Sequence, residues 1–341
     1  MTHSQILRFL IPLCLVSCNS PQIEKEFPTN EEQVAIGFKA SFYQSRAIAT
    51  LTEVQSNGFA VWGGYDGNNL FDYDNDGNPV KVTYNSSTQE WGYGTSKYWE
   101  QDKQYTFFAT YPYDKYNGSV TNENGTYMVT IETPEDADTD YLTASAYADP
   151  NSANFNPEVP FQFNHLMTKI NIQIEQDFDE NPYVNYRFRV NSATLSNVKG
   201  KGTLTAVVTS NNTSHSWKYE STPMTFTYTG SGTGTGDFDP AANDGNKLML
   251  FGDEGLMLLP QPTGSIMLDL NYEFGVVDIN NNNTVSWESK TAPMNLPTGT
   301  WVEGTSVNYI ITLNESNEIK VNQVTVATWG SSQSGGTIII K

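Results

Sequence analysis

Short segments that alternate apolar with polar residues recur along almost the whole chain. This period of two is that of a β-strand with one face buried and the other in water. The first segment places apolar side chains at every second position: Val34, Ile36, Phe38, Ala40 and Phe42. Further segments of the same period cover residues 105–111, 127–131, 170–174, 186–190, 204–208, 266–272 and 307–313.

Clusters of Asn, Asp and Gly separate these segments and predict turns between strands. No stretch keeps the period of an amphipathic helix for long, and the best helix candidate is a short one near residues 138–148. Many short strands joined by turns are typical of sandwiches and barrels. The sequence therefore predicts an all-β fold with little helix.

The balance of charge narrows the class of partner. The chain has 38 acidic and 18 basic residues, a formal net charge of −20. Nucleic acids and anionic lipid headgroups are bound through clustered Lys and Arg, so the sequence predicts neither as a partner. The excess of acid is expected to keep a secreted surface protein soluble.

The amino terminus predicts export and lipid anchoring. Residues 1–17 have the form of a signal peptide, with Arg8 followed by a short apolar run from 9 to 16. Leu15-Val16-Ser17-Cys18 resembles a bacterial lipobox, in which the cysteine receives lipid, and several acyl chains give stable anchoring. A plain secretory peptide is the alternative. Residues 18–32 are polar and read as a tether.

The organisation predicted for the rest of the chain is two domains. Cys14 and Cys18 are the only cysteines, so the mature chain has no disulfide to offer and needs packed cores. An acidic stretch closed by a proline, residues 177–183, predicts a boundary. The expected domains are residues 33–178 and 184–341, and the Gly-rich stretch 230–237 is expected to be a loop.

Motifs for metal or catalytic chemistry are weak. The run 72–77 places Asp72, Asp74 and Asp76 before Gly77, as in the first half of a calcium loop. The twelfth position is Thr83, where a glutamate is needed, so a solvated hairpin turn is the favoured interpretation. His165 and His215 have no mature cysteine to pair with, and His165 is expected to be a core residue. We predict no catalytic residue, no metal and no cofactor.

Two further features leave alternatives open. Aromatic residues crowd the first half: Trp62, Trp91, Tyr93, Tyr98 and Trp99. Exposed, they could stack on sugar rings, although a place in the core is favoured. Ser45-Arg46-Ala47 follows the first strand, where a trypsin-like protease could cut after Arg46 if the loop is exposed; an ordinary arginine at a strand end is the alternative.

Taken in order, the motifs resemble the fimbrillins of Bacteroidetes, the pilin-like lipoproteins of protease-assembled pili. The similar segments beyond the lipobox are QVAIGFKASF (33–42), SRA (45–47), FAVWGGY (59–65), YWEQDKQYTFFATYPYD (98–114), DYLTASAYA (140–148), FQFNHLMTKINIQIE (161–175), LLPQP (258–262), LPTGTWVEGTSVNYIITL (296–313) and VTVATW (324–329). The run 161–175 is similar to the strand that closes the first domain in that family.

The resemblance implies two tandem β-sandwich domains of transthyretin-like, Greek-key type. It also implies assembly by donor-strand exchange, in which a protease removes the first strand and a strand of another subunit fills the groove. On this chain, Cys18 would carry the lipid and the cut would fall between Arg46 and Ala47. The removed strand would contain Val34, Ile36, Phe38, Ala40 and Phe42.

The carboxyl terminus departs from a stalk pilin. A stalk subunit offers a long alternating donor strand, whereas here a Gly/Ser linker at 330–336 precedes only five residues, 337–341. Val324, Val326 and Thr328 are expected to complete the second domain's own sheet. This favours a tip or accessory subunit, with an anchor subunit left open.

The predicted partners are other pilin subunits, a trypsin-like maturation protease, the outer membrane through lipid, and a glycan or protein receptor. The location expected is the outer membrane and the fimbrium at the cell surface. A glycan-binding surface lipoprotein that works alone is the alternative, and exposure of Trp62, Trp91 and Trp99 would mark it. A hydrolase would need a convergent pair of carboxylates.

Overall fold

The computed structural model describes residues 33–42, 50–72, 77–115, 117–123, 125–135, 137–177, 185–230, 248–252, 254–278, 280, 284–314, 319–328 and 337–338. Their regular secondary structure is almost entirely β-strand, which confirms the predicted all-β class. One helix, α1, spans Leu51–Asn57.

The strands, in chain order, are β1 Gly37–Phe42, β2 Phe59–Tyr65, β3 Asn68–Asn69, β4 Val80–Asn85, β5 Glu90–Gly92, β6 Tyr105–Tyr111, β7 Asn117–Glu123, β8 Thr126–Glu132, β9 Leu142–Ala148, β10 Glu158–His165, β11 Thr168–Asp177, β12 Asn185–Lys199, β13 Lys201–Val208, β14 Thr213–Tyr219, β15 Pro223–Thr229, β16 Leu248–Leu250, β17 Leu256–Leu258, β18 Met267–Asp278, β19 Thr284–Asn295, β20 Thr305–Asn314, β21 Ile319–Thr328 and β22 Thr337–Ile338.

An eight-stranded sheet forms the centre of the first sandwich. Its order is β1-β10-β9-β6-β2-β4-β5, with β3 paired to β2. Because β1 at one end of this order also contacts β5 at the other, the sheet curves around its inner face. That face encloses the first core, whose aromatic members are Phe38, Phe59, Phe71, Trp99, Tyr105, Phe107, Tyr111, Phe161 and Phe163.

A four-stranded sheet, β14-β13-β8-β7, covers the outer face of β2, β6 and β9. Alternate residues of β2 and β6 point to this side, so Trp62 and Phe108 are buried against Tyr127 and Leu204. We call this cluster the second core. It also contains Met257 of β17 and Leu259 just after it, so this segment links the two halves of the molecule.

The second sandwich packs a six-stranded sheet against a four-stranded one. The six-stranded sheet has the order β16-β11-β20-β21-β22, with β17 also on β11, and the other sheet has the order β15-β12-β18-β19. Between them lies the third core, built around Phe188, Leu268, Trp301 and Tyr309. As predicted, Val324 contributes to this core, since β21 pairs antiparallel with β20.

The helix prediction at 138–148 is wrong. Residues Leu142–Ala148 form β9, which pairs with β6 on one side and β10 on the other. Burial between two strands outweighs the helix propensity of this alanine-containing segment. The helix that does form is α1, where Thr50 and Glu53 make a reciprocal capping box.

The run 161–175 does not form the single closing strand that the family resemblance implies. It divides into β10, in the first sheet, and β11, which pairs with β16, β17 and β20 in the second sandwich. The apolar residues of β11, Ile170, Ile172 and Ile174, are buried in the third core. Alternation shows that these isoleucines are buried, but it cannot show in which core.

The hairpin β13–β14 crosses between the two halves. It comes after the predicted boundary, yet β13 pairs antiparallel with β8 from Lys201↔Glu132 to Val207↔Thr126. The first sandwich therefore uses strands from both halves of the sequence. The predicted boundary at 177–183 lies, apart from Asp177 at the end of β11, outside the described residues and stays a prediction. In the described part of the chain, no helix has the length and apolarity needed to cross a membrane.

Candidate functional site: the first strand and its groove

β1 and the residues just before it keep the predicted alternation in three dimensions. Ile36 is 2% exposed and Phe38 is 3% exposed, whereas Lys39 points to solvent. Val34, Ala40 and Phe42 are partly buried against the first core. All five apolar positions of this segment therefore face inward.

On one edge, β1 pairs with β10 in parallel register through all of Gly37–Phe42. The Ser41 hydroxyl adds a bond by donating to the Phe161 carbonyl at 3.2 Å. Lys39 and Glu158 form an exposed ion pair. Such surface pairs contribute about 0–1 kcal/mol, so the attachment rests on the backbone ladder and on burial.

On the other edge, the segment from Tyr93 to Trp99, here called the latch segment, holds the start of the strand. The Ile36 N–H donates to the Lys97 carbonyl at 2.8 Å, and the Trp99 N–H donates to the Val34 carbonyl at 3.0 Å. The Tyr93 hydroxyl donates to the Ile36 carbonyl at 2.6 Å. Among the described residues, positions 39–42 have backbone pairing with β10 alone. The backbone is thus bonded to the latch segment at Val34 and Ile36 and to β10 from Gly37 to Phe42.

The groove beneath β1 is aromatic. The Phe38 ring lies 5.2 Å from Phe71, 5.3 Å from Tyr93 and 5.4 Å from Phe161, measured between ring centroids. Phe42 stacks on Phe163 at 5.6 Å. Edge-to-face and offset contacts of this kind add to the burial energy. Burial raises the pKa of Tyr93, so its hydroxyl keeps the proton that it donates to Ile36.

A comparison with known protein families identifies the family to which a chain of this architecture belongs. A profile of the fimbrillin-like family matches residues 46–329, well over half of the chain. The chain belongs to the fimbrillin-like family. The match begins at Arg46, so β1 lies before the matched region of this fimbrillin-like protein. A comparison with curated protein sequences gives no match.

One of the solved structures that resemble this chain shares its fold. A fimbrial protein from Bacteroides vulgatus aligns with a TM-score of 0.63 at 22% identity, covering 86% of this chain and 99% of that one. A candidate cell adhesion protein from Bacteroides uniformis aligns at 14% identity with a TM-score of 0.45, covering 86% and 98%. A fimbrial assembly protein from Parabacteroides distasonis aligns at 10% identity with a TM-score of 0.39, covering 91% and 100%. At 22% identity, the first of these shows the fold alone.

The predicted processing residues of the fimbrillin-like chain lie outside the described residues. These are Cys18, Arg46 and Ala47, and their roles stay predictions. The described residues nearest to the predicted cut are Phe42, at the end of β1, and Thr50, which caps α1.

The aromatic cluster of the first half is largely core. Trp62 is fully buried and donates its ring N–H to the Gly77 carbonyl at 2.8 Å. Trp99 is 6% exposed and donates to the Pro157 carbonyl at 3.1 Å. Trp91 is partly buried and packs on Phe59. These three tryptophans do not form the exposed platform that a glycan-binding lipoprotein was expected to show.

The candidate calcium loop is only partly described. Both carboxylate oxygens of Asp72 accept the Gly77 N–H, at 3.1 and 3.0 Å, as in a turn. Asp74 and Asp76 lie outside the described residues. His165 is nearly buried, with Nδ1 2.9 Å from the Asp140 carboxylate. No group of three or more metal-ligating side chains occurs in the part of the chain that the structure describes.

The role of the latch segment could not be predicted from the sequence. Tyr93 and Trp99 stood out only as aromatic residues, because the strand that they hold lies 57 and more residues earlier in the chain. No local pattern joins positions so far apart. The pairing becomes visible only in the folded chain.

Proposed function

We propose that this fimbrillin-like protein is a structural and adhesive subunit of a cell-surface pilus, without catalytic activity. In this proposal the protein assembles by donor-strand exchange. A trypsin-like protease cuts between Arg46 and Ala47, β1 leaves, and a strand from another pilin subunit takes its place. The family to which the chain belongs supports a fimbrial, cell-adhesion role.

The observation that carries the proposal is the burial of β1 in an aromatic groove at the start of the chain. Ile36 and Phe38 each contribute about 1.5–3 kcal/mol when fully buried. Without β1, the groove would expose apolar rings and the unpaired edge of β10. An extended peptide with the same alternation would satisfy both the pockets and the backbone, as in other strand-addition complexes.

The bonding of β1 gives its release a direction. The end that leads to Arg46 is paired with β10 alone and carries the partly buried Phe42, whereas the residues just before β1 are bonded to the latch segment. After a cut, peeling would begin at Phe42 and reach the latch segment last. An incoming strand could therefore pair with β10 step by step, so that few groups are exposed at any moment.

The membrane step rests on Cys18. As the lipidated residue it would tie the precursor to the outer membrane through the tether 18–32. The cut after Arg46 would free the subunit from this anchor together with β1. Lipid attachment, cutting and strand exchange would then form one pathway to the fimbrium.

The carboxyl terminus supports a tip or accessory role rather than a stalk role. β21 pairs with β20 from Leu313↔Ile319 to Thr305↔Thr328, so it completes its own sheet. In the described part of the chain, β22 pairs with β21 at Val324↔Ile338. Because β21 is paired within its own sheet, it is not free to serve as a donor strand, and the subunit would act as an acceptor.

The processing step is tested on the lipid-free chain, residues 19–341, with a limiting amount of a trypsin-like protease. We expect one new amino terminus at Ala47, and we expect Arg46→Gln to remove it. Lys25→Gln is the matched control and should leave the cut unchanged. A chain that stays uncut at Arg46 would contradict the proposal, and an oligomer ladder on unboiled gels would contradict the tip or accessory role.

Strand exchange has its own test. The cut protein is incubated with a fluorescent peptide of residues 33–42, and we expect slow, stable incorporation. The same peptide carrying Phe38→Asp is the control and should not be incorporated, because its carboxylate would enter an aromatic pocket. Equal uptake of both peptides would show that the groove does not select for the alternating apolar side chains.

A further inference from the structure

A cavity of about 350 Å³ opens at one end of the first sandwich, away from the groove of β1. It lies where the end of β2 and the turn after it meet the start of β6 and the loop after β13. Small-molecule sites have volumes of about 300–1,000 Å³. This cavity therefore has the size of a site for one or two small rings.

The cavity is built on one row of the first sheet. Gly64 pairs with Thr106, and Thr106 pairs with Tyr147, so the three residues lie side by side on the outer face. At Gly64 any Cβ would lie 1.7 Å from the Asn68 carbonyl oxygen, so only glycine lets the turn fold back here. That turn, with Asp66 and Gly67, forms one wall.

Three polar side chains around the cavity are unused by the fold. Gln104, Tyr147 and Ser210 line it, and none of them makes a side-chain hydrogen bond to another described residue. Together they offer an amide and two hydroxyl groups, which both donate and accept. The ring of Tyr147 is partly exposed, whereas Tyr65 is covered by Lys103 on its face and by Tyr105 at the ring. Tyr147 is thus the aromatic surface left for a ligand.

The charge of the cavity excludes anionic ligands. Asp66 is the one charged residue of the lining, and its carboxylate pairs with Lys103 at 2.9 Å. The whole chain adds a net charge of −20. A phosphate, sulfate or carboxylate group would be repelled by Asp66 and would have to compete with it for Lys103.

We propose that this cavity binds an uncharged saccharide, one or two rings in size, at the end of a glycan. The apolar face of the sugar would stack on Tyr147, and its hydroxyls would bond to Gln104, Ser210 and the free carboxylate oxygen of Asp66. The inference deepens the adhesive part of the proposed function and rests on it. It uses different residues from the tryptophans that the sequence singled out.

The test uses the lipid-free chain 19–341 before any protease treatment. Saturation-transfer NMR is recorded with methyl glycosides of glucose, galactose, mannose, fucose, N-acetylglucosamine, N-acetylgalactosamine and sialic acid. We expect signals from at least one neutral glycoside and none from the sialoside. Titration then gives the dissociation constant for the variants.

Gln104→Ala should weaken binding about tenfold, the loss of one good hydrogen bond. Gln101→Ala, an exposed glutamine outside the lining, is its matched control and should bind as the parent does. Tyr147→Leu should abolish the signal and Tyr147→Phe should retain it, because the ring remains. Tyr84→Leu, at a tyrosine outside both the cavity and the latch segment, is the control for that pair.

A blank panel with the parent chain would overturn the inference, as would equal binding by Gln104→Ala and Gln101→Ala. Preference for the sialoside would also overturn it. None of these outcomes bears on cutting at Arg46 or on strand exchange, which are read from amino termini and peptide uptake. The saccharide site and the assembly pathway can therefore fail separately.

Discussion

Phe38 is the residue on which the attachment of the first strand most depends. Its ring contacts aromatic side chains from three other parts of the first sandwich, Phe71, Phe107 and Phe161, and it is almost fully buried. Close-packed rings leave no room for the neighbours to collapse into a vacated space. Removal of this one ring would therefore leave a cavity and lose its packing contacts with the aromatic groove.

We expect Phe38→Ala to destabilise the precursor by about 3–5 kcal/mol, the usual cost of removing a buried phenylalanine. The measurement is urea unfolding of residues 19–341, followed by tryptophan fluorescence, in the transition of the first sandwich. Lys39→Ala, at the neighbouring exposed position, is the control and should cost about 0–1 kcal/mol. Equal midpoints for the two variants would mean that β1 does not occupy this groove in solution.

At the scale of the element, β1 is held unevenly by its two neighbours. β10 runs along the whole strand, whereas the latch segment bonds only Val34 and Ile36. Backbone hydrogen bonds oppose the local opening of the segment that makes them. The latch segment therefore keeps the start of β1 in place while its end can open.

We expect Tyr93→Phe to raise amide hydrogen exchange in residues 33–42 about fivefold. The variant removes the bond to the Ile36 carbonyl, worth about 1 kcal/mol, and also the longer bond of 3.3 Å that the hydroxyl accepts from the Lys97 N–H. Tyr84→Phe is the matched control, since Tyr84 stacks on Trp91 and makes no side-chain hydrogen bond to another described residue. Unchanged exchange in Tyr93→Phe would remove the latch role.

The same bond should respond to pH. Burial raises the pKa of Tyr93 above its ordinary value of 10.0, so the folded state holds this proton more tightly than the unfolded state does. Its contribution is fully present below pH 10.0 and is lost as the pH rises through the raised pKa. Amide hydrogen exchange in residues 33–42, corrected for its intrinsic pH dependence, should rise in the parent protein as the pH passes through this raised pKa. It should not rise in Tyr93→Phe.

At the scale of the whole molecule, the two sandwiches are joined by strands as well as by the chain. The hairpin β13–β14 completes the outer sheet of the first sandwich, and Glu303 of the second half accepts bonds from His215 and Trp217 of that hairpin. The Trp217 N–H donates at 2.8 Å, and the His215 Nδ1 lies at 2.9 Å. Neither half of the sequence has all the strands of its own sandwich.

We therefore expect a fragment of residues 33–178 to be unfolded or aggregated. Without β13, the second core would lose Leu204, Ala206 and Val208 and would be partly uncovered, and β8 would present an unpaired edge. Size-exclusion chromatography and near-ultraviolet circular dichroism of the fragment, beside the full chain, are the measurements. A soluble monomer with a cooperative melt would show that residues 33–178 fold alone.

Much of the local structure could be predicted from the sequence, and the failures have identifiable causes. The alternation in β1 was visible because side-chain direction in a strand is a local property. Helix α1 was missed although its capping box, Thr50 and Glu53, is a local signal, because seven residues are too few to show a helical period. The helix predicted at 138–148 fails because helix propensity is a weak prior, and sheet pairing overrides it in this segment.

The sequence by itself determined the all-β class, the inward face of the first strand and the family of the chain. These depend on neighbouring residues, or on the order of motifs, and both can be read along the chain. The tertiary structure alone decided that β11 belongs to the third core, that β13 crosses to β8, and that Tyr93 holds Ile36. Each of these pairings joins residues dozens of positions apart. Their free energy comes from burial and hydrogen bonds that exist only when distant strands meet, so no local pattern encodes them.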